Sequence, residues 1–133
     1  MLVELPRGHA LARSTGESAV LLKRLARETF ILYGPPGTAF YDVTMAACRA
    51  AGFTPRIGQE APRLTSSLSL VAVGLGISLV PASLQHMHMH GVVYRSLGGS
   101  VRPKAMLNLI TRRGDPSAAI RNFVTLVRAA TKK

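Results

Sequence analysis

The sequence has 133 residues, of which 47% are hydrophobic and 17% charged, and its formal net charge is +11. This composition excludes a disordered chain and indicates one ordinary packed domain. No charge-free apolar run reaches the roughly 18 residues of a membrane span, and the first residues do not resemble a signal peptide. A single cysteine, Cys48, cannot form an internal disulfide, which favours a cytoplasmic location.

The excess of positive charge favours an anionic ligand or a polyanion as partner. The arginines are scattered along the chain, without a dense run and without interleaved aromatic residues. A stripe that binds nucleic acid normally clusters on one element. Direct binding of nucleic acid by this chain is therefore an alternative and not the leading interpretation.

Hydrophobic periodicity and turn residues predict strands that alternate with helices. The expected strands are residues 3–5, 30–33, 55–60, 77–80, 92–94 and 105–111. The expected helices, apart from a central one described next, are residues 18–27 with Ser18 as N-cap, 40–51 with Gly52 as C-terminal glycine, 82–86, and 117–130. This alternation indicates an α/β fold with a mostly parallel sheet.

The stretch 65–84 organises the rest of the chain. Hydroxyls at residues 65–67 can cap a helix whose apolar stripe follows, and Gly74 and Gly76 are expected to end that helix. Residues 77–80 then read as a strand that is covered on both faces. Pro81 closes the strand and can start the next helix.

Two glycine motifs suggest nucleotide binding but lack essential parts. Residues 34–38 resemble the front of a phosphate-binding loop, yet Ala39 and Phe40 stand where glycine and lysine are required. The pair Gly74 and Gly76 follows a helix and precedes a strand, the reverse of a dinucleotide fingerprint. No nucleophile elbow or paired carboxylates are present. The sequence therefore predicts neither an enzyme nor a cofactor.

Three alternating histidines, His86, His88 and His90, are the weak candidate for a metal site. On an extended strand their imidazoles would share one face and could converge on zinc or nickel. No carboxylate or cysteine lies beside them to complete the ligand set. A solvated surface connection is the preferred interpretation.

Four strings together resemble one family, the effector-binding domain of LysR-type transcriptional regulators. They are LPRGHALA at residues 5–12, FILY at 30–33, AGFTP at 51–55 and LVAVGLGISLVP at 70–81, and the last is the most specific. Their order and spacing cover nearly the whole chain. Ala10 departs from the proline that is usual in the family.

The resemblance implies a three-layer α/β fold of the type 2 periplasmic-binding-protein kind, with a mixed, mostly parallel sheet. Residues 1–5 would form the outgoing crossover strand and residues 6–91 the second effector-binding subdomain. Residues 92–133 would form the return crossover plus the last strand and helix of the first subdomain. The winged helix-turn-helix and most of the first subdomain would be missing, so DNA would be contacted only through that missing N-terminal domain.

The resemblance also implies a ligand site in the cleft between subdomains, as in the branch that senses aromatic-catabolite acids. The resemblance places Tyr33, Phe40 and Leu64 on positions that line this cleft; the candidate set also contains Thr38, which stands where that branch often has proline, and Thr65. Apolar walls and free amides at helix starts would suit a small carboxylate. Alternatively, these five residues only stabilise loops and helix starts.

The expected function is therefore that of a domain that senses a small organic acid. Uncovered apolar faces from residue 92 onward predict a homodimer or higher oligomer. Two alternatives stay open: an oligomerisation or structural fragment without a working pocket, and a basic nucleic-acid-binding module.

Overall fold

The computed structural model describes residues 1–13, 19–114 and 117–131. Its strands are β1 (Leu2–Pro6), β2 (Ala19–Leu21), β3 (Thr29–Tyr33), β4 (Arg56–Ala61), β5 (Ser78–Val80) and β6 (Val92–Gly98). Its α-helices are α1 (Ala39–Ala50), α2 (Leu64–Ala72) and α3 (Ala118–Ala130). Short 3₁₀ turns occupy Ala10–Ala12, Leu22–Leu25 and Ala82–His86.

The strands form a mixed sheet in which one strand runs against the others. Four strands lie in the order β2-β6-β1-β5, and β3 pairs with β4. A parallel bridge between Phe30 and Ile77 connects the two groups. Since β1 is antiparallel to β5 and β6 while the other pairings are parallel, the five remaining described strands share one direction. The predicted mixed, mostly parallel sheet is confirmed.

Helices α1 and α2 cover opposite faces of the sheet. Along β1, Val3 and Leu5 belong to the cluster that contains Ala47 and Cys48 of α1. Leu2, one position earlier, belongs to the cluster around Leu68 of α2. Because successive strand residues point to opposite faces, this alternation places one helix on each side and produces the predicted three layers.

The stretch 65–84 has the predicted order of helix, turn and strand. It differs from the prediction in the role of Gly76 and in the residue that caps α2. Gly74 has a φ of +81° and ends α2 as expected. Gly76 has no positive φ, but a Cβ there would lie 2.6 Å from the Thr29 carbonyl oxygen, so it permits a close backbone approach. The predicted capping by residues 65–67 is wrong, since Arg63 is the N-cap and the Ser67 hydroxyl donates to the Leu64 carbonyl.

The helix predicted at residues 18–27 is wrong in its described part. Ala19–Leu21 forms β2, parallel to the end of β6, and a 3₁₀ turn follows at Leu22–Leu25. Pairing with β6 outweighs the local helical spacing, as tertiary context often does. The predicted N-cap Ser18 lies outside the described residues.

The strand predicted at residues 105–111 is also wrong. This segment is irregular and exposed, with Leu107 98% and Ile110 89% exposed. A strand needs a neighbour for its backbone hydrogen bonds, and no described strand lies beside it. The final helix is confirmed as α3, whose N-cap Ser117 accepts a hydrogen bond from the Ile120 amide at 3.5 Å. None of its described side chains is buried.

Candidate functional site

The carboxyl ends of β3 and β4 bring two helix starts to one edge of the sheet. Tyr33 and Ala61 are register partners at the ends of these parallel strands, and the Gly34 amide donates to the Ala61 carbonyl at 3.0 Å. A loop and then α1 follow β3, while a shorter loop and then α2 follow β4. All five predicted ligand residues lie on these two connections or beside them.

The loop from β3 to α1 is a compact turn. Gly34 and Gly37 have φ values of +75° and +88°, which glycine adopts without a Cβ penalty. The Thr38 hydroxyl donates to the Pro35 carbonyl at 2.8 Å, and the Thr38 amide donates to the same oxygen at 3.2 Å. With its proton committed to Pro35, the Thr38 hydroxyl can accept a hydrogen bond from a ligand but does not donate one in this arrangement.

Two of the predicted residues form an aromatic pair. The rings of Tyr33 and Phe40 meet edge to face, with centroids 5.5 Å apart and an interplanar angle of 66°. Phe40 also lines a small cavity of about 70 Å³ between α1 and the irregular segment that contains Ala105, Met106 and Asn108. The pair supplies an apolar wall at the start of α1, and the later segment covers part of it.

The start of α2 has an electrostatic character different from that of α1. Arg63 caps α2 only through its backbone: its carbonyl accepts the Ser66 and Ser67 amides, and its side chain makes no cap hydrogen bond. Helix geometry leaves the first-turn amides of Leu64 and Thr65 without an intrahelical acceptor. These amides, the helix dipole and the Arg63 guanidinium together favour an anion at this end.

The start of α1, by contrast, already has a carboxylate. Asp42 lies in the first turn, and its Oδ1 accepts the Gly37 amide at 3.3 Å. A negative charge at a helix N-terminus partly offsets the dipole. An anionic ligand is therefore favoured more at α2 than at α1.

The predicted residues are not all equally placed to contact a ligand. Thr65 is exposed, whereas Leu64 is half-buried and packs against the cluster around Leu68 on the α2 face of the sheet. Between the two loops lies an open groove of about 220 Å³ lined by Gly34, Pro35, Glu60, Ala61 and Pro62. The structure thus brings Tyr33 and Phe40 together, places Thr38 and Thr65 on the same sheet edge, and directs Leu64 inward. None of the five lines this groove.

The prediction overlooked Glu4, although it is the most unusual polar residue of the described core. Its side chain is fully buried, and neither carboxyl oxygen has a hydrogen-bond partner among the described residues. Burial raises the pKa of Glu4 from its ordinary value of 4.5 to about 8, and the nearby Ser67 hydroxyl lowers it only in part. A single acidic residue inside the apolar run of β1 was the available signal.

The histidine motif does not assemble. His86, His88 and His90 are all exposed around the end of the 3₁₀ turn that follows β5. Across residues 1–13, 19–114 and 117–131, no group of three or more histidine, cysteine, aspartate or glutamate side chains is placed to hold a metal ion. The described helices are also too short or too polar to cross a membrane.

Comparison with known proteins decides the family. Residues 1–132 match the family model for the LysR substrate binding domain. The chain belongs to this family. The HTH-type transcriptional regulator CatR of Pseudomonas putida is 36% identical over 130 residues, which cover 96% of this chain and 43% of that protein. The Hca operon transcriptional activator HcaR of Escherichia coli K12 is 28% identical over 132 residues, covering 96% of the chain and 42% of the activator. The chain thus spans less than half the length of these two LysR relatives.

Solved structures confirm the predicted fold class. The BenM effector binding domain with its effector benzoate superposes with a TM-score of 0.74 and 25% identity, over 97% of this chain and 58% of that one. The effector binding domain of QuiR in complex with shikimate gives a TM-score of 0.61 at 23% identity, over 73% of this LysR-family chain and 44% of QuiR. At that identity the second likeness shows the fold alone.

Proposed function

We propose that the chain senses a small organic acid on behalf of a LysR-type transcriptional regulator, without enzymatic activity. Contact with DNA is assigned to other parts of such a regulator. Residues 1–5, in β1, are assigned as the outgoing crossover strand, residues 6–91 as the second effector-binding subdomain, and residues 92–133, which begin with β6, as the return to the first subdomain. The single observation that supports the ligand assignment most is the start of α2, which has no side-chain cap.

A carboxylate matches this helix start in charge and in hydrogen bonding. It would accept from the free amides of Leu64 and Thr65 and would lie near the Arg63 guanidinium. The aromatic pair of Tyr33 and Phe40, at the two ends of the neighbouring loop, would contact the apolar part of the same molecule. The net charge of +11 would raise the local concentration of an anion around the whole chain.

The BenM comparison supports the same chemistry, and QuiR, whose likeness shows the fold alone, supplies a second acid for the test. Benzoate is named as the effector of BenM, and shikimate is bound to QuiR. Both are small ring compounds with one carboxylate. A ligand of this kind has an anionic end for α2 and a ring for the apolar wall.

Thermal unfolding of the full chain with benzoate, shikimate and benzamide tests the proposal. Benzamide keeps the ring of benzoate but lacks the charge. A ligand present at 100 times its dissociation constant should stabilise the folded chain by about 2.7 kcal/mol. We expect stabilisation by at least one of the two acids and none by benzamide. Equal responses to benzoate and benzamide would refute the carboxylate assignment, and no response to either acid would refute binding of this ligand class.

A charge-matched pair of variants locates the anion. Arg63→Gln removes the guanidinium at the start of α2, while Arg7→Gln removes the same charge from an exposed position after β1. A hydrogen bond to a charged group is worth about 1.5–3 kcal/mol, so we expect Arg63→Gln to weaken binding of the responding acid by roughly ten- to a hundredfold. Arg7→Gln should change the affinity only slightly. Equal losses in both variants would indicate long-range attraction without a site at α2.

A second assignment, self-association, is favoured by the exposed apolar surface near the end of the chain. Leu107, Ile110 and Leu126 are 98%, 89% and 68% exposed. Large apolar side chains that are this exposed to water favour a partner surface that covers them. We assign a homodimer or higher oligomer that covers it, and light scattering should give a mass above that of one chain. A stable monomer at micromolar concentration would contradict this assignment.

A further inference from the structure

Four side chains form a cluster around one buried carboxyl on the α2 face of the sheet. They are Glu4 itself, Ser67 of α2, Ser78 of β5 and Tyr94 of β6, and we call them the Glu4 cluster. Glu4 is 0% exposed, Ser67 0% and Ser78 1%. Register places Glu4 opposite Ser78 on one side and opposite Tyr94 on the other. One carboxyl therefore lies where three strands and a helix meet.

The three hydroxyls around Glu4 either donate to backbone carbonyls or have no hydrogen-bond partner among the described residues. The Ser67 hydroxyl donates to the Leu64 carbonyl at 2.7 Å, and the Tyr94 hydroxyl donates to the Met87 carbonyl at 3.0 Å. The Ser78 hydroxyl, like both Glu4 oxygens, has no partner within the described part of the chain. Within the described residues the carboxyl therefore accepts no hydrogen bond, and the nearby Ser67 hydroxyl favours its charged form only in part.

No cation on the surrounding elements compensates this carboxyl. The titratable group that faces it is Tyr94, and burial together with the Glu4 charge raises the pKa of that phenol. The next residue of β6, Arg95, is the register partner of Val3, whose side chain lies on the α1 face of the sheet. An unpaired carboxylate in such surroundings is strongly disfavoured, so the folded arrangement requires the protonated acid.

We propose that Glu4 is a proton-dependent contact that holds α2 on the sheet. While the carboxyl keeps its proton, α2 stays packed over β1 and β6. When the proton is lost, the carboxylate needs water, and the element that can admit water without breaking the sheet is α2. Proton loss therefore favours a partly open state in which α2 separates from the three strands beneath it.

This contact does not depend on the proposed ligand function, because it concerns only the burial of Glu4. It has a consequence for that function, since α2 provides the assigned anion site. Opening of α2 would move the amides of Leu64 and Thr65, so that the sensing helix responds to pH.

Amide hydrogen exchange on the full chain without ligand tests the contact. In the partly open state Glu4 ionises near its ordinary pKa of 4.5, whereas in the closed state its pKa is about 8. The population of the open state should therefore rise about tenfold per pH unit between these values and then level off. Protection factors at residues 68–72 should fall at that rate. They should also lie at least about tenfold below those at residues 30–32 of β3, which exchange only by wider unfolding.

Two variants complete the test. Glu4→Gln, which cannot ionise, should abolish the pH dependence of protection in α2. Glu60→Gln, an exposed carboxyl on the edge strand β4, should leave it unchanged. The proposal is overturned if α2 and β3 have equal protection, if protection in α2 is independent of pH, if the dependence survives in Glu4→Gln, or if Glu60→Gln removes it.

Discussion

Replacing Glu4 by glutamine should make the chain more stable at alkaline pH and leave its stability nearly unchanged near pH 5. The folded chain keeps a proton on Glu4 up to a pKa of about 8, while the unfolded chain releases it near 4.5. Between these values the folded state binds more protons than the unfolded state, so the free energy of unfolding falls as pH rises. This stabilisation is complete below the unfolded pKa and is lost as pH rises through the folded pKa.

The magnitude follows from the two pKa values. At about 1.4 kcal/mol per pKa unit, the interval from 4.5 to about 8 bounds the loss at about 5 kcal/mol. That is as large as the whole stability of many small domains. Glutamine has nearly the same shape and does not titrate, so the variant should escape this loss. The pKa of Tyr94 is raised from 10, which keeps the phenol neutral throughout this interval.

Urea unfolding of both proteins at several pH values between about 5 and 8.5 measures the effect. The difference in unfolding free energy between Glu4→Gln and the parent should grow steadily toward pH 8, by several kcal/mol. Contributions from all other titratable groups are common to both proteins and cancel in the difference. A difference that does not change with pH would refute the reasoning.

Three further predictions concern other parts of the chain. Gly76→Ala should lower the free energy of unfolding by about 1–3 kcal/mol, because the added Cβ would lie 2.6 Å from the Thr29 carbonyl oxygen. Gly8→Ala, whose Cβ would meet nothing within 4 Å, should lower it by under about 0.5 kcal/mol. Similar urea midpoints for the two variants would contradict the close approach of Gly76 to Thr29. Burial raises the pKa of the Cys48 thiol to about 11, although the nearby Arg49 charge acts to lower it. Thiol labelling at pH 8 should therefore be about a hundredfold slower in the folded chain than in urea. Equal labelling rates would contradict the burial of Cys48. The alternative of a basic nucleic-acid-binding module predicts an affinity for duplex DNA that falls steeply between about 50 and 200 mM salt in an anisotropy titration, and no binding at low salt would remove this alternative.

The elements predicted best from the sequence are those whose local pattern and tertiary partners agree. The strand at 30–33 and the helix at 40–51 are confirmed almost to the residue as β3 and α1. The segment at 105–111 shows the limit. Its alternating pattern is typical of a strand, but strand formation depends on a neighbour that local sequence does not contain. A distant partner also explains the wrong helix prediction at 18–27, because Ala19–Leu21 pairs with β6 and forms the strand β2.

The sequence predicted which edge of the sheet carries the candidate residues, but it did not predict the direction in which their side chains point. The edge of the sheet was predictable, because parallel strands followed by helices place their loops together. The inward direction of Leu64 was not, since it depends on where α2 begins relative to Arg63. The acidic residue inside the apolar run of β1 was a signal for Glu4, but its full burial was not predictable, because it requires β5, β6 and α2 to enclose one residue of β1.

The central proposal is that a carboxylate ligand binds where β3 and β4 end, at the start of α2. An amide-shift titration of the full chain with benzoate tests it most directly, because it reports position as well as affinity. Saturable shifts should be largest at residues 63–66, should extend to residues 34–40, and should be absent with benzamide. Saturable shifts centred elsewhere, or none at millimolar benzoate and shikimate, would contradict the proposal.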